Sequence, residues 1–340
     1  AQQVLGLAFD GSAPMLLTGS APTGASCCSG VGVTRFDGGS FGARRALISG
    51  LTGATLGSLT AVSPGRLLAS VATDRGVWVA QSRPGGPFAA THRLTGFAQM
   101  PWTLATTALG GAGALAWTAT TGQQGEIAPG QIFTASGSAS RAPGGARVTA
   151  TVPAGHQVDE LSLTPGRGRP TLAWVENWIA ANGAYGSQVV LRDLGAVSAP
   201  RVIGAAGETA SGLTAAGDPR GDQVVAWRDC DPTPACRLWA VYRRGGGRFG
   251  APVALGAIDP YEDPAAAVSS GGEALVGWIA GGRVIAAARS PSASRFGAAH
   301  AVSTAADAGE LALAFSPGGQ ALVTWTAWSA TTQLLGALLG

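Results

Sequence analysis

Apolar and polar positions alternate along the chain in short bursts. Segments such as "QVVAW", "ALVGW", "LALAF" and "ALVTW" are strand-sized, and they are bounded by clusters of small and turn-forming residues such as "SSGGE" and "SPGGQ". No window holds apolar residues at a spacing of three and four over the length of a helix. The pattern therefore predicts many short antiparallel strands joined by tight turns, and an all-β chain.

One phrase recurs. It runs as an apolar strand, a Gly-rich turn, a strand ending in Trp, a variable loop, a third strand, and "FG" leading into a fourth. The clearest copies begin at "LTAAGDPRGDQVVAWRDC", "AAAVSSGGEALVGWIAGG" and "LALAFSPGGQALVTW". First strands start near Leu5, Leu59, Leu104, Leu161, Leu213, Ala265 and Leu311, at spacings of 54, 45, 57, 52, 52 and 46 residues. Each spacing is the length of a four-stranded propeller blade. The prediction is a seven-bladed β-propeller of four-stranded antiparallel blades in a single domain, residues 1–340.

The second-strand Trp recurs at Trp117, Trp174, Trp227, Trp278 and Trp325, with Gly19 and Ser70 near that place in the first two units. Large aromatics at a fixed repeat position are expected to pack between neighbouring blades. The turns at Phe41, Phe249 and Phe296, with Phe88 as a variant, are expected to be structural, and His92 and His300 follow that Phe as repeat positions.

In its repeat pattern the whole chain resembles the secreted bacterial β-propellers of the sialidase-like and Asp-box type. The segment "ATDRGVWV", Ala72 to Val79, is similar to an Asp-box with one residue fewer between Gly76 and Trp78. The arginine cluster, Tyr/Glu pair and acid of a sialidase have no matching motifs here, so the resemblance implies the fold and not that activity.

Composition supports many buried strands: of 340 residues, 53 are Gly and 20 Pro, 46% are apolar and only 12% charged. No apolar run is long enough for a membrane-spanning helix. Net charge is +3, every basic residue is Arg, and the arginines read as scattered along the chain without interleaved aromatics, so nucleic acid is not an expected partner. Disulfide-compatible cysteines and an "AQQV" start that could follow signal-peptide removal point to export.

In a propeller, the loops from second to third strand and from fourth strand into the next blade share one face. Those loops are the irregular ones in this chain, which is the layout of a binding surface on a rigid scaffold. Cys27 and Cys28 fall in such a loop of the first unit, Cys230 and Cys236 in that of the fifth. Loops three blades apart are badly placed to meet, so the expected pairs are Cys230 with Cys236 and Cys27 with Cys28. A vicinal ring would offer a flat sulfur surface to a ligand; a structural tether or two free thiols is the alternative.

Candidate ligand residues on that face are the aromatics Trp102, Trp178, Tyr185, Tyr261 and Trp328, with Cys27 and Cys28. Acids recur just before the first strands: Asp159 with Glu160, Glu208, Asp259 with Glu262 and Asp263, and Asp307 with Glu310. They could solvate turns, bind a cationic ligand, or hold Ca²⁺; no other cofactor is implied. "DPYEDP", residues 259–264, is the densest group and the preferred site, with Glu262, Asp263 and Glu310 as its acids. There is no nucleophile elbow, P-loop or zinc helix. The expected function is recognition of carbohydrate or another envelope or environmental molecule. A glycoside hydrolase or lyase, and a structural subunit of an extracellular assembly, are the alternatives. The seventh unit stops before an "FG" strand, so its blade is expected to have three strands. Leu334 to Leu339 would then form an apolar outer edge, to be covered by an upstream segment or by self-association with a neighbouring protomer.

Overall fold

The computed structural model describes residues 2–10, 13–20, 28–36, 42–54, 56–73, 76–94, 100–120, 130–138, 140–195, 199–204, 209–230, 235–304, 307–327 and 333–339. All regular structure among them is strand. The first sheet is β1 (Gln2–Asp10), β2 (Ala13–Ser20), β3 (Cys28–Arg35) and β4 (Arg45–Ala54), and the second is β5 (Leu56–Ser63), β6 (Arg66–Thr73), β7 (Gly76–Gln81) and β8 (His92–Arg93). The third is β9 (Met100–Leu109), β10 (Ala112–Thr120), β11 (Gln131–Ser138) and β12 (Arg141–Thr151); the fourth is β13 (His156–Thr164), β14 (Thr171–Ile179), β15 (Tyr185–Asp193) and β16 (Arg201–Val202). The fifth is β17 (Ala210–Gly217), β18 (Gln223–Cys230), β19 (Cys236–Arg243) and β20 (Val253–Ile258); the sixth is β21 (Ala265–Val268), β22 (Ala274–Ala280), β23 (Arg283–Arg289) and β24 (His300–Ala301). The seventh has three strands, β25 (Ala308–Phe315), β26 (Ala321–Ala327) and β27 (Gln333–Leu339). Strands follow one another in each sheet in chain order, as hairpins do. The predicted three-stranded last blade is present.

The chain divides into two compact units, Ala1–Leu161 and Ser162–Gly340. In the first, Leu17, Val31, Leu59 and Val71 build one core cluster, and Leu68, Val79, Leu115 and Trp117 build another. In the second, cores lie between successive sheets: Val175, Val189, Trp227 and Val241 form one, Ala226, Leu238, Val276 and Trp278 the next.

A single turn chemistry explains the short first-to-second connections of the second unit. Ser269 and Ser316 each accept, at Oγ, the amide N–H four residues on, and Asp218 does the same through Oδ1 toward Asp222. Each turn then closes on a left-handed glycine, Gly272, Gly319 or Gly221. Trp227 and Trp278 dock on the preceding sheet. The Trp278 indole N–H donates to Ala257 O at 2.8 Å, and a Cβ on Gly204 would lie 3.4 Å from the Trp227 ring. All five repeated Trp residues are buried, as expected of packing residues. Phe249, expected to be structural, is buried in the core between the fourth and fifth sheets, while Phe41 lies outside the described residues.

Joints at the short-turn end tie sheets pairwise. Arg243, the last residue of β19, bonds Asp193 of β15 through both Nη atoms at 3.0 Å and Thr171 at 2.6 Å, with its guanidinium 4.8 Å from the Phe249 ring centre. Arg289, in the same place on β23, lies 3.5 Å over the Tyr242 ring, whose hydroxyl donates to Asp222 Oδ1 at 2.7 Å.

Candidate functional site

Within Ser162–Gly340 the two ends of the sheets differ. One carries the short turns. The other carries the second-to-third turns and the connections between sheets, among them residues 259–264 between β20 and β21. Asp259 opens this connection, and its two carboxylate oxygens accept the Gly281 and Gly282 amides at 2.9 Å each. Those glycines form the β22–β23 turn, both at positive φ, so Asp259 is a turn anchor rather than a ligand group.

Arg228 follows Trp227 on β18 and is buried beneath the connection. Its Nε and Nη2 donate to Ser211 Oγ at 3.1 and 2.9 Å, and its Nη1 donates to Glu262 O at 2.6 Å and stands 3.6 Å from Asp263 Oδ1. From the inner side, Gly212 presses against the same loop. It has φ 61° at a bulge between Ser211 and Thr214, and a Cβ there would meet Pro264 Cδ at 3.0 Å and Asp263 Oδ1 at 3.1 Å. The loop is thus held by a guanidinium below and a glycine beside it, and its side chains project from a fixed base. Tyr261 is 95% exposed and the Asp263 side chain 76%.

Glu262 is half-buried between them. Burial, then the charges of Asp259 and Asp263, push its carboxyl above the usual glutamate value; Glu310 adds to this and Arg228 opposes it. Glu310 itself sits in the left-handed region at φ 43°, the only non-glycine to do so among the described residues, at a bulge between Gly309 and Leu311. Glu262 thus feels the charges of both Asp263 and Glu310.

The remaining candidates are distributed differently. Trp178 and Tyr185 lie in β14 and β15 and not in loops, because the hairpin ladder runs on to the pair Ile179 with Tyr185. A Cβ on Gly186 would fall 2.5 Å from the Trp178 ring, so that ring lies over its cross-strand neighbour and is an anchor. Ile179 and Tyr185 remain 69% and 45% exposed. Trp102 is likewise a strand residue, in β9 of the other unit, and Cys28 opens β3. Cys27 and Trp328 lie outside the described residues, and so does Glu208. Cys230 and Cys236 form a disulfide across the ends of β18 and β19, where they are register partners. Among the described residues no group of three or more His, Cys, Asp or Glu side chains is placed to hold a metal ion.

Two structural features escape the sequence reading. Arg228 reads as an ordinary polar residue after a strand Trp, and only its burial shows that it organises the loop. The arginines, scattered in sequence, collect in this unit at the short-turn end.

Seven successive antiparallel sheets define the fold as a β-propeller, and solved structures agree. Polysaccharide lyase Uly1 matches 99% of this chain and 90% of its own, with 10% identity and a TM-score of 0.63. The Hadza microbial sialidase Hz136 matches over 95% of this chain and 73% of its own, with 13% identity and a TM-score of 0.50. An α-L-arabinofuranosidase from Fusarium graminearum, solved with arabinobiose, matches over 83% and 92%, with 10% identity and a TM-score of 0.51. At such identities the likeness concerns the fold alone. No protein-family model matches the chain, and no curated protein does.

Proposed function

We propose that this propeller binds carbohydrate through the loop between β20 and β21, in an extracellular setting. The observation that carries the reading is the pairing of a fully presented aromatic, Tyr261, with the hydroxyl-accepting carboxylates of Glu262 and Asp263 on a loop that Arg228 and Gly212 hold rigid. A ring face for the apolar side of a sugar and fixed acceptors for its hydroxyls are the usual components of such recognition. The disulfide suits an oxidising compartment, and no helix among the described residues is long and apolar enough to cross a membrane.

A glycan array with the unmodified chain and with Tyr261→Ala tests this. Binding of one glycan class should fall at least roughly tenfold in the variant, the loss of a stacked ring. Thermal midpoints should match within a degree or so, because Tyr261 is exposed. Unchanged binding in the variant refutes the site.

The raised carboxyl of Glu262 favours one second reading, a hydrolase with Glu262 as proton donor. Reducing-sugar release that disappears in Glu262→Gln, with glycan binding retained, would support it.

A further inference from the structure

The short-turn end of Ser162–Gly340 carries a different chemistry from the loop end. Arg167 and Arg169 lie on the β13–β14 turn, Arg220 on the β17–β18 turn, Arg244 and Arg248 between β19 and β20, and Arg295 between β23 and β24; all six are exposed. They are adjacent where the turns touch. Cβ positions built on Gly221 and Gly246 would fall 3.2 and 3.5 Å from the Arg167 Cβ, and Gly246 N donates to Gly221 O at 2.9 Å. Arg220 reaches across to Ser270 O of the next sheet.

Acids at this end do not neutralise the surface. Asp193 is engaged by Arg243, Asp218 by Arg220 and backbone amides, and Asp222 by Tyr242 and the Gly245 amide; Glu273 is half-buried. Arg167, Arg244, Arg248 and Arg295 have no side-chain partner among the described residues. By contrast Asp229, Asp259, Glu262, Asp263, Asp307 and Glu310 all lie at the loop end, where they outnumber the arginines Arg228, Arg237 and Arg283. The unit is electrically polarised along its strands although the chain's net charge is only +3.

We propose that this arginine face docks an acidic polysaccharide, a chain bearing carboxylate or sulfate groups, independently of any ligand at the loop end. Guanidinium forks pair with planar carboxylates and with sulfate oxygens, and Arg220 and Arg169 keep free donors beyond those used on backbone. The same surface lacks what other polyanions require. Among the described residues the exposed Phe, Trp and Tyr side chains are Tyr185 and Tyr261, both at the loop end, so this face lacks the aromatic platforms on which single-stranded bases stack. Among the described residues the exposed large aliphatics of this unit, Ile179, Val202 and Val253, lie on strands and not on these turns, so the turns carry no apolar anchor for a bilayer.

The test is retention of the full chain on immobilised polygalacturonate and dextran sulfate, with uncharged dextran, phosphatidylglycerol vesicles and duplex DNA as comparisons. Retention on both acidic polysaccharides, weakening as salt rises and absent on dextran, is expected. Stronger retention on one assigns carboxylate or sulfate. The triple variant Arg167→Gln/Arg244→Gln/Arg248→Gln should bind roughly tenfold more weakly or worse, about what three exposed ion pairs supply, with Tyr261→Ala unaffected. Arg248→Gln alone, expected to fall by a smaller factor, covers the case of a triple variant that does not fold. The proposal is overturned by no retention at low salt, by arginine variants that bind like the parent, or by vesicles or DNA that bind more tightly at equal charge.

Discussion

Side chains at this scale separate into those that hold the fold and those that face solvent, and the separation has measurable consequences. Trp227 is buried in the core between the fourth and fifth sheets, so Trp227→Ala should cost about 3–5 kcal/mol, read as a shift in denaturant midpoint. Tyr261→Ala should leave that midpoint in place. Tyr242 makes a pH prediction. Burial first, then its hydrogen bond to Asp222 and that carboxylate's charge, push the hydroxyl up from 10.0 to about 12, against the nearby Arg289. A folded value above the unfolded one means the contribution is complete below pH 10.0 and is lost as pH climbs through about 12. Alkaline unfolding should therefore show a component in that interval that Tyr242→Phe removes; identical alkaline curves would exclude it. Asp193 behaves oppositely. Burial works upward on it, but the hydrogen bonds from Arg243 and Thr171 and the charges of Arg243 and Arg169 outweigh this and hold it below 3.8. Its contribution is present above that value and is lost only as the medium falls through the lower, folded one.

Strands and turns were the part of the molecule most legible in sequence. Strand Trp residues, Gly-rich turns and regular spacing reflect local backbone geometry and a repeated packing problem, and both leave residue-level traces. Strand ends were less legible: Trp178 and Tyr185 read as loop residues, yet the β14–β15 ladder includes them, because cross-strand pairing continues wherever a partner lies opposite. Arg228 and the arginine face were not legible at all. Their meaning depends on which neighbours fold around them, and Gly221 beside Arg167 is a contact between residues far apart in the chain. The Cys230–Cys236 pair was legible because loops three blades apart are badly placed to meet, which leaves the local partner. Non-reducing peptide mapping should recover Cys230 and Cys236 in one linked peptide. It should also find Cys27 joined to Cys28, a proposal carried by their adjacency alone. A cross-link between the two groups would overturn it.

For the whole molecule, the outermost strand of the seventh sheet raises the question of assembly. β27 pairs with β26 on one side, and Leu334, Leu335, Ala337, Leu338 and Leu339 carry no charge that would discourage a second partner. Antiparallel pairing of two copies about a twofold axis would set Leu334 against Leu339 and Leu335 against Leu338. Light scattering should then find a dimer that Leu335→Lys returns to monomer, whereas a monomeric parent chain would remove the case for such assembly. The joints between sheets reach further still. Arg243 and Arg289 each stretch back to the sheet before, Trp278 leans on Ala257 behind it, and Asp259 reaches forward to the turn ahead. The fifth sheet, joined in this way on both sides, is therefore a hook on one flank and an eye on the other. A gene that copies one unit in tandem copies a finished clasp with it, so blades can multiply without inventing a new seam, and drift in the exposed loops leaves the fastening intact.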